Sequence, residues 1–176
     1  MNAGELGHVD IHYIAKGTVL DAPKQKFYLL GMIDSYSRVC WLEVLTSIKA
    51  IDVMFAAQDI LLIMHKRYGI EFSEIMSDNG SEFASKNNPS HPFEKLLSVY
   101  NIKHRYTKPC SPHTNGKIER FWRTIEEELL SSETFQSLDD LKHHIKGYCL
   151  YYNEHRKHQA INLKYPVQLS NIPSPS

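Results

Sequence analysis

Partial alternation and apolar runs divide the first half of the chain into strands around one helix, and helical periodicity dominates the second half. Gly7 to Ile14 (GHVDIHYI) alternates in part and predicts a strand with Asp10 along it. Gln25 to Ile33 is nearly all apolar, as a centrally buried strand would be. Asp34-Ser35-Tyr36-Ser37 then supplies turn chemistry before Arg38 to Leu45 resumes strand-like residues, so these two strands read as a hairpin. Ile48, Ile51, Phe55 and Leu62 recur at helical spacing in a stretch that closes at Gly69, a helix stop. Phe72 to Met76 is a short buried strand delivering Asp78 at its end, Asn79-Gly80 is turn chemistry, and Ser85 to His91 is a polar loop.

Pro92 to Tyr100 predicts a short helix and Ile102 to Thr107 a strand. The run Lys108-Pro109-Cys110-Ser111-Pro112 is extended, because each proline fixes its own φ and restricts the residue before it. From His113 to Leu130, Ile118, Trp122, Ile125 and Leu129 form one apolar stripe. Asn115, Glu119 and Arg123 lie along its edge, so Glu119 is expected to look at the sheet. A last long helix starts at Ser137, with Asp140 at capping-box spacing. It carries Leu138, Leu141, Ile145, Tyr148 and Tyr152 on one face and ends at Asn153. Residues 172–176 read as a disordered tail. Together these elements predict an α/β domain, a mixed five-stranded sheet with helices on both faces.

Composition adds limits rather than detail. A chain of 176 residues, 42% hydrophobic and 23% charged, suits one domain with a single core. No apolar run reaches bilayer-spanning length, and Met1-Asn2-Ala3-Gly4-Glu5 lacks the basic and apolar segments of a secretory signal, so the cytosol is the expected compartment. Cys40, Cys110 and Cys149 are odd in number and widely spaced, which fits reduced thiols acting as small buried hydrophobes. A formal net charge of zero argues against strong autonomous affinity for nucleic acid. Even so, Lys103, Arg105, Lys108, Lys117, Arg120, Arg123, Arg156 and Lys157 gather in the later part and leave room for a local basic track.

The candidate chemistry lies in three acids, Asp10, Asp78 and Glu119. Aspartate is disfavoured in an apolar strand and costly to bury unpaired, so Asp10 needs a reason to be there. Asp78 before Asn-Gly is also a common turn residue, and Glu119 beside Arg120 and Arg123 also suits a solvated ion pair. Carboxylates at the ends of two strands and one turn into a late helix can hold two Mg²⁺ ions for phosphodiester chemistry. Asp10 would bridge both ions, and Asp78 and Glu119 would each complete one shell. Without metal the three anions repel one another, and divalent ions are expected to stabilise the fold. Asp34, which opens a turn, and Glu82, near Asp78, are candidate auxiliary acids that a two-metal site does not need. His155 and His158 read as surface histidines rather than a zinc pair.

The runs GELGHVDIHYI, IDSYSR, SDNGSEF, SPHTNGKIERFWRTIEEEL and YYNEHRKHQAIN resemble the catalytic core shared by retroviral integrases and bacterial insertion-sequence transposases, the DDE class, and the bacterial branch more than the viral one. Pro-x-x-Asn-Gly-Lys-x-Glu-Arg is the most specific of these motifs. The resemblance implies a ribonuclease H-like core over residues 1–171, two Mg²⁺ or Mn²⁺ ions, and homodimerisation. It also implies nicking of element ends and joining of the freed 3′-hydroxyl to target DNA. By motif position the triad falls on Asp10, Asp78 and Glu119. Asn115 resembles a polar residue at the active-site rim and Arg123 a basic residue that contacts donor DNA, and Lys117 and Arg120 are expected at phosphates. Tyr151, Asn153, Arg156 and His158 match a family pattern that carries structure without a defined catalytic task.

The departures are specific. The interval from Asp78 to Glu119 is longer than usual in the family, and Asn87-Asn88-Pro89 marks the expected surface insertion. Glu126 stands where many relatives carry lysine or arginine, which removes one expected phosphate contact. The N-terminal helix-turn-helix region of relatives is expected to be absent, and recognition of element ends with it. Two further readings remain: a ribonuclease H-like nuclease with Asp52 or Asp59 as a fourth acid, and a catalytically silent fragment that regulates a transposase.

Overall fold

The computed structural model describes residues 1–84, 90–107 and 116–172. Strands β1 (Gly7–Ile14), β2 (Phe27–Asp34), β3 (Cys40–Leu45), β4 (Glu74–Ser77) and β5 (Lys103–Tyr106) form one sheet in the order β3-β2-β1-β4-β5. The first three pair antiparallel, the β2–β3 hairpin included, while β4 pairs parallel with both β1 and β5. Parallel neighbours need crossover connections. Helix α1 (Ala50–Tyr68) leads from β3 at the sheet edge to β4, and α2 (Pro92–Val99) leads from β4 to β5. Helices α3 (Gly116–Ile125) and α4 (Leu138–Glu154) follow, and the mixed five-stranded sheet expected from the pattern is borne out.

Register fixes what each face carries. Asp10 lies opposite Gly31, and Gly31 opposite Leu42, so these three share a face. Trp122 of α3 lies over Gly31 on that face, where an added Cβ would fall 2.4 Å from its Cη2. Trp41 and Glu43 point to the other face, where Trp41 meets Tyr68 at the end of α1, ring centroids 6.5 Å apart. Helix α4 packs along β3, and its buried Asn153 clasps that strand's backbone. Asn153 Oδ1 accepts from Cys40 N at 2.9 Å, and its Nδ2 donates to Cys40 O at 2.7 Å and to the Tyr68 hydroxyl at 3.2 Å.

Two helices depart from the expected pattern. Of the stripe expected for α1, Ile48, just before the helix, and Ile51 and Phe55 within it face outward, at 40%, 45% and 57% exposure, and Leu62 is half-buried, while Val53, Ala57, Ile60 and Met64 are buried. Both rows have helical spacing, and the alanines at 56 and 57 let the second row approach the sheet closely. The predicted stop is in place: Gly69 adopts φ 62, and its N–H bonds to His65 O at 2.9 Å.

The apolar row after α3 also shifts. Glu126–Leu130 is a π-helical turn, with Ser131 N donating to Glu126 O at 2.9 Å, and the extra residue per turn buries Leu130 where straight periodicity assigns Leu129. Ser137 caps α4 as expected, accepting from Asp140 N at 3.2 Å, although the Asp140 carboxylate turns to Gln136 N rather than to the cap. Cys40 and Cys149 are buried free thiols. The expectations on Asn87-Asn88-Pro89, the Lys108–Pro112 run with Cys110, and the tail beyond Ile172 lie outside the described residues. Among the described residues no helix is long and apolar enough to cross a membrane.

Candidate active site

The parallel register of β1 and β4 aligns Gly7 with Ile75 and His8 with Met76. Carried two residues further, the same offset places Asp10 beside Asp78, which directly follows β4. Asp10 is half-buried: its Oδ1 accepts from Ile11 N at 2.9 Å and its Oδ2 from Trp122 Nε1 at 2.9 Å. Burial pushes the Asp10 carboxyl above its ordinary pKa. The indole and amide donors oppose the rise, the neighbouring Asp78 carboxylate adds to it, and His12 opposes it. Asp78 Oδ1 accepts from Gly80 N at 2.8 Å, so the turn chemistry of Asp-Asn-Gly and the placement of the carboxylate are one arrangement. Ser77, in the last position of β4, is fixed by bonds of 2.8 Å to Asp78 O and to the His104 ring on β5.

Glu119 is exposed in the first turn of α3. It stands three residues before Trp122, so it lies on the same side of the helix as the indole that touches Asp10, about 4.5 Å further along the axis. The structure thus brings Asp10 and Asp78 near one another and sets Glu119 one turn along α3 from the Trp122 that bonds Asp10. Among the described residues no group of three His, Cys, Asp or Glu side chains converges closely enough to hold a metal ion. The Asp10 and Asp78 pair suits a hard cation, because each donor oxygen has a second lone pair free of its hydrogen bond. Arg120 and Arg123 are exposed on α3, and Lys117 Nζ donates to Ser35 Oγ. Asn115 lies outside the described residues.

The other acids have other tasks. Asp34 is fully buried and ties the β2–β3 turn to the N-terminus, accepting from Gly4 N at 2.9 Å, Ser37 N at 2.6 Å and Ser37 Oγ at 2.7 Å. Asp59 acts on Glu43, on the sheet face opposite Asp10, and α1, which carries both Asp52 and Asp59, packs there. His158 is buried against Tyr152 rather than on the surface.

Two participants escape a reading of the chain alone. Trp122 serves as a hydrogen-bond donor to Asp10 as well as a core residue, a role the need of a buried indole N–H for a partner could have signalled. His12, two residues from Asp10 and so on its face, stacks on Trp122 with ring centroids 5.0 Å apart. Its Nε2 lies 2.6 Å from Glu126 Oε1, so the acid standing at the expected basic position is engaged within the protein.

An antiparallel meander extended by two parallel strands, with an acid on each of the central neighbours and a helix bearing a third, is the ribonuclease H-like arrangement. The chain belongs to the integrase core domain family, whose models match residues 3–112 and 100–166. It is 28% identical over 154 residues to ORF3 of Spiroplasma virus SpV1-C74, named as an integrase, covering 84% of this chain and 42% of that protein. It is 24% identical over 93 residues to the transposase of insertion sequence IS904 from Lactococcus lactis, covering 52% of this chain and 35% of that one. The chain therefore spans less than half the length of either relative. Among solved structures, the simian T-cell lymphotropic virus intasome superposes with TM-score 0.75 at 18% identity, over 98% of this chain and 56% of that one. The HTLV-2 integrase catalytic core domain in complex with magnesium gives 0.61 at 17% identity, over 96% and 97%. At these identities the likeness is one of fold.

Proposed function

We propose that this core breaks and joins DNA phosphodiesters as an integrase or transposase, with Asp10, Asp78 and Glu119 as its metal-holding triad. The observation that supports the reading is the β1–β4 register, Gly7 beside Ile75 and His8 beside Met76, whose continuation brings Asp10 near Asp78, with Trp122 of the helix bearing Glu119 bonded to Asp10. Turn chemistry accounts for Asp78 alone, but it does not account for a second carboxylate, half-buried on β1, close enough to repel it. The HTLV-2 core domain bound to magnesium supports a divalent ion as the counter-charge. Two Mg²⁺ or Mn²⁺ ions held by the triad would activate the attacking oxygen and stabilise the leaving one.

The side chains supply position. Trp122 and the Ile11 amide hold the Asp10 carboxylate from both of its oxygens, and the Gly80 amide holds Asp78. The nucleophile is water in the nicking step and a DNA 3′-hydroxyl in strand transfer, without a covalent protein intermediate. Asn115, Lys117, Arg120 and Arg123 meet the DNA, which comprises element ends and target. The core works as an oligomer, in this reading a homodimer; the HTLV-2 core domain is described in both a dimeric and a trimeric form.

The test is a branched DNA substrate that mimics the joined product, incubated with the chain and Mn²⁺. Resealing or cleavage is expected in the native protein and should fall by at least about 1000-fold in Asp78→Asn, in line with loss of a group that acts in the transition state. Equal activity in the two would remove Asp78 from the mechanism.

A further inference from the structure

The arginines of this chain fall into two sets. Arg67, Arg105 and Arg156 are each paired with a carboxylate, of Glu154 at 2.9 Å, Glu74 at 2.5 Å and Glu128 at 2.6 Å. Among the described residues Arg38, Arg120 and Arg123 are in no ion pair, and neither is Lys117. Arg38 is the unusual member, because it is partly buried and sits in the β2–β3 turn with φ 69. That backbone region disfavours any residue with a Cβ and suits glycine.

Its guanidinium is aimed. Arg38 Nη1 donates to Ser35 O at 2.6 Å, and Lys117 Nζ, arriving from the first turn of α3, donates to Ser35 Oγ of the same residue. Arg120 is close enough to act on Arg38, as Arg38 is on Lys117. The one acid acting on both, Asp34, has both oxygens engaged by Gly4 and Ser37. Burial, and then the neighbouring cation, pushes the Lys117 ammonium and the Arg38 guanidinium below their ordinary pKa values; Asp34 opposes this for both, and Tyr152 also opposes it for Arg38. Bringing like charges together on a strained turn weakens the isolated fold, unless an anion completes the cluster.

We propose that Arg38, Lys117 and Arg120 form a notch for a DNA backbone phosphate, with Arg38 supplying a contact that the motif around Glu119 does not contain. The inference rests on the DNA-processing reading above and deepens it. A phosphate diester fits the chemistry: the guanidinium fork binds two oxygens and the ammonium meets the charge as a point donor, with Lys117 two residues before Glu119 and Arg38 joined to that lysine through Ser35. The notch fixes the strand beside the acids and carries no sequence information.

The experiment measures binding of the full chain to a labelled branched duplex in EDTA, across a series of salt concentrations. Catalysis then plays no part. Arg38→Gly is the discriminating variant, because glycine accepts φ 69, so relief of backbone strain offsets loss of the bond to Ser35 O, and a merely structural arginine would leave the salt dependence of DNA binding unchanged. We expect Arg38→Gly to melt no lower than the native chain, while the slope of log affinity against log salt falls by about one. Arg38→Lys should keep the slope, and Arg38→Gly with Lys117→Gln should lose less affinity than the two single losses combined, since both serve one phosphate. Arg67→Gln, which removes a paired arginine, should leave the slope unchanged. A native slope in Arg38→Gly, with DNA still bound, overturns the notch and leaves the DNA-processing reading standing. Failure of the native chain to bind DNA at any salt overturns both.

Discussion

At the scale of single residues, the contact that matters most to the site is made by a tryptophan. Trp122 donates to Asp10 Oδ2, and it reaches that oxygen only because Gly31, directly across from Asp10, leaves its ring room on the sheet. Trp122→Phe keeps most of the volume and removes the donor. It is expected to cost about 1 kcal/mol in urea unfolding and to slow DNA joining by about 10- to 100-fold through misplacement of Asp10. Gly31→Ala should cost about 1–3 kcal/mol by overpacking, measured the same way, because its Cβ would lie 2.4 Å from the ring. Of this detail, Asp10 and Asp78 are legible in the sequence, since an acid inside an apolar strand and an acid at a strand end are visible in one dimension. The donor to Asp10 is not. Trp122 sits in an apolar stripe, and its bond to Asp10 exists only after α3 crosses β1. Arg38 is hidden for a related reason: its backbone angle and its nearness to Lys117 are properties of the folded turn.

At the scale of elements, periodicity locates helices better than it orients them. In α1 two rows satisfy the same spacing, and the choice between Ile51 with Phe55 and Ala57 with Ile60 is made by how closely the helix can approach the sheet, which no single segment encodes. The π turn after α3 is equally silent, because one extra residue per turn leaves the composition unchanged while moving burial from position 129 to 130. It also presents Glu128 to the Tyr148 hydroxyl at 2.9 Å and to Arg156, joining α3 to the chain that follows α4. Helix α4 carries its own constraint in Asn153. Asn153→Ala strands the buried backbone N–H and C=O of Cys40, and the expected loss is about 2–4 kcal/mol in urea unfolding with an unchanged slope. A loss below about 0.5 kcal/mol would mean that water replaces the amide there. The motif YYNEHRKH is thus structural at Asn153 and Arg156, as its resemblance implied, and the physical task is now visible.

At the scale of the whole molecule, the fold places one anionic pair on neighbouring strands with a third acid a helical turn away, so stability and metal binding are expected to be linked. Mg²⁺ at about 100 times its Kd should stabilise the native chain by about 2.7 kcal/mol. The upward shift in melting temperature should vanish in Asp10→Asn; equal shifts in both proteins would place the bound ion elsewhere. The architecture itself was legible because strand and helix patterns alternate in an order that few topologies satisfy. The sheet order required the crossovers to be seen. Its two borders have a consequence of their own. On one, the amide of Asn153 occupies the outward N–H and C=O of Cys40, and on the other β5 is four residues long and carries Lys103 and Arg105. Both borders are thus guarded at these positions, which disfavours edge-to-edge pairing of one copy of the domain with another.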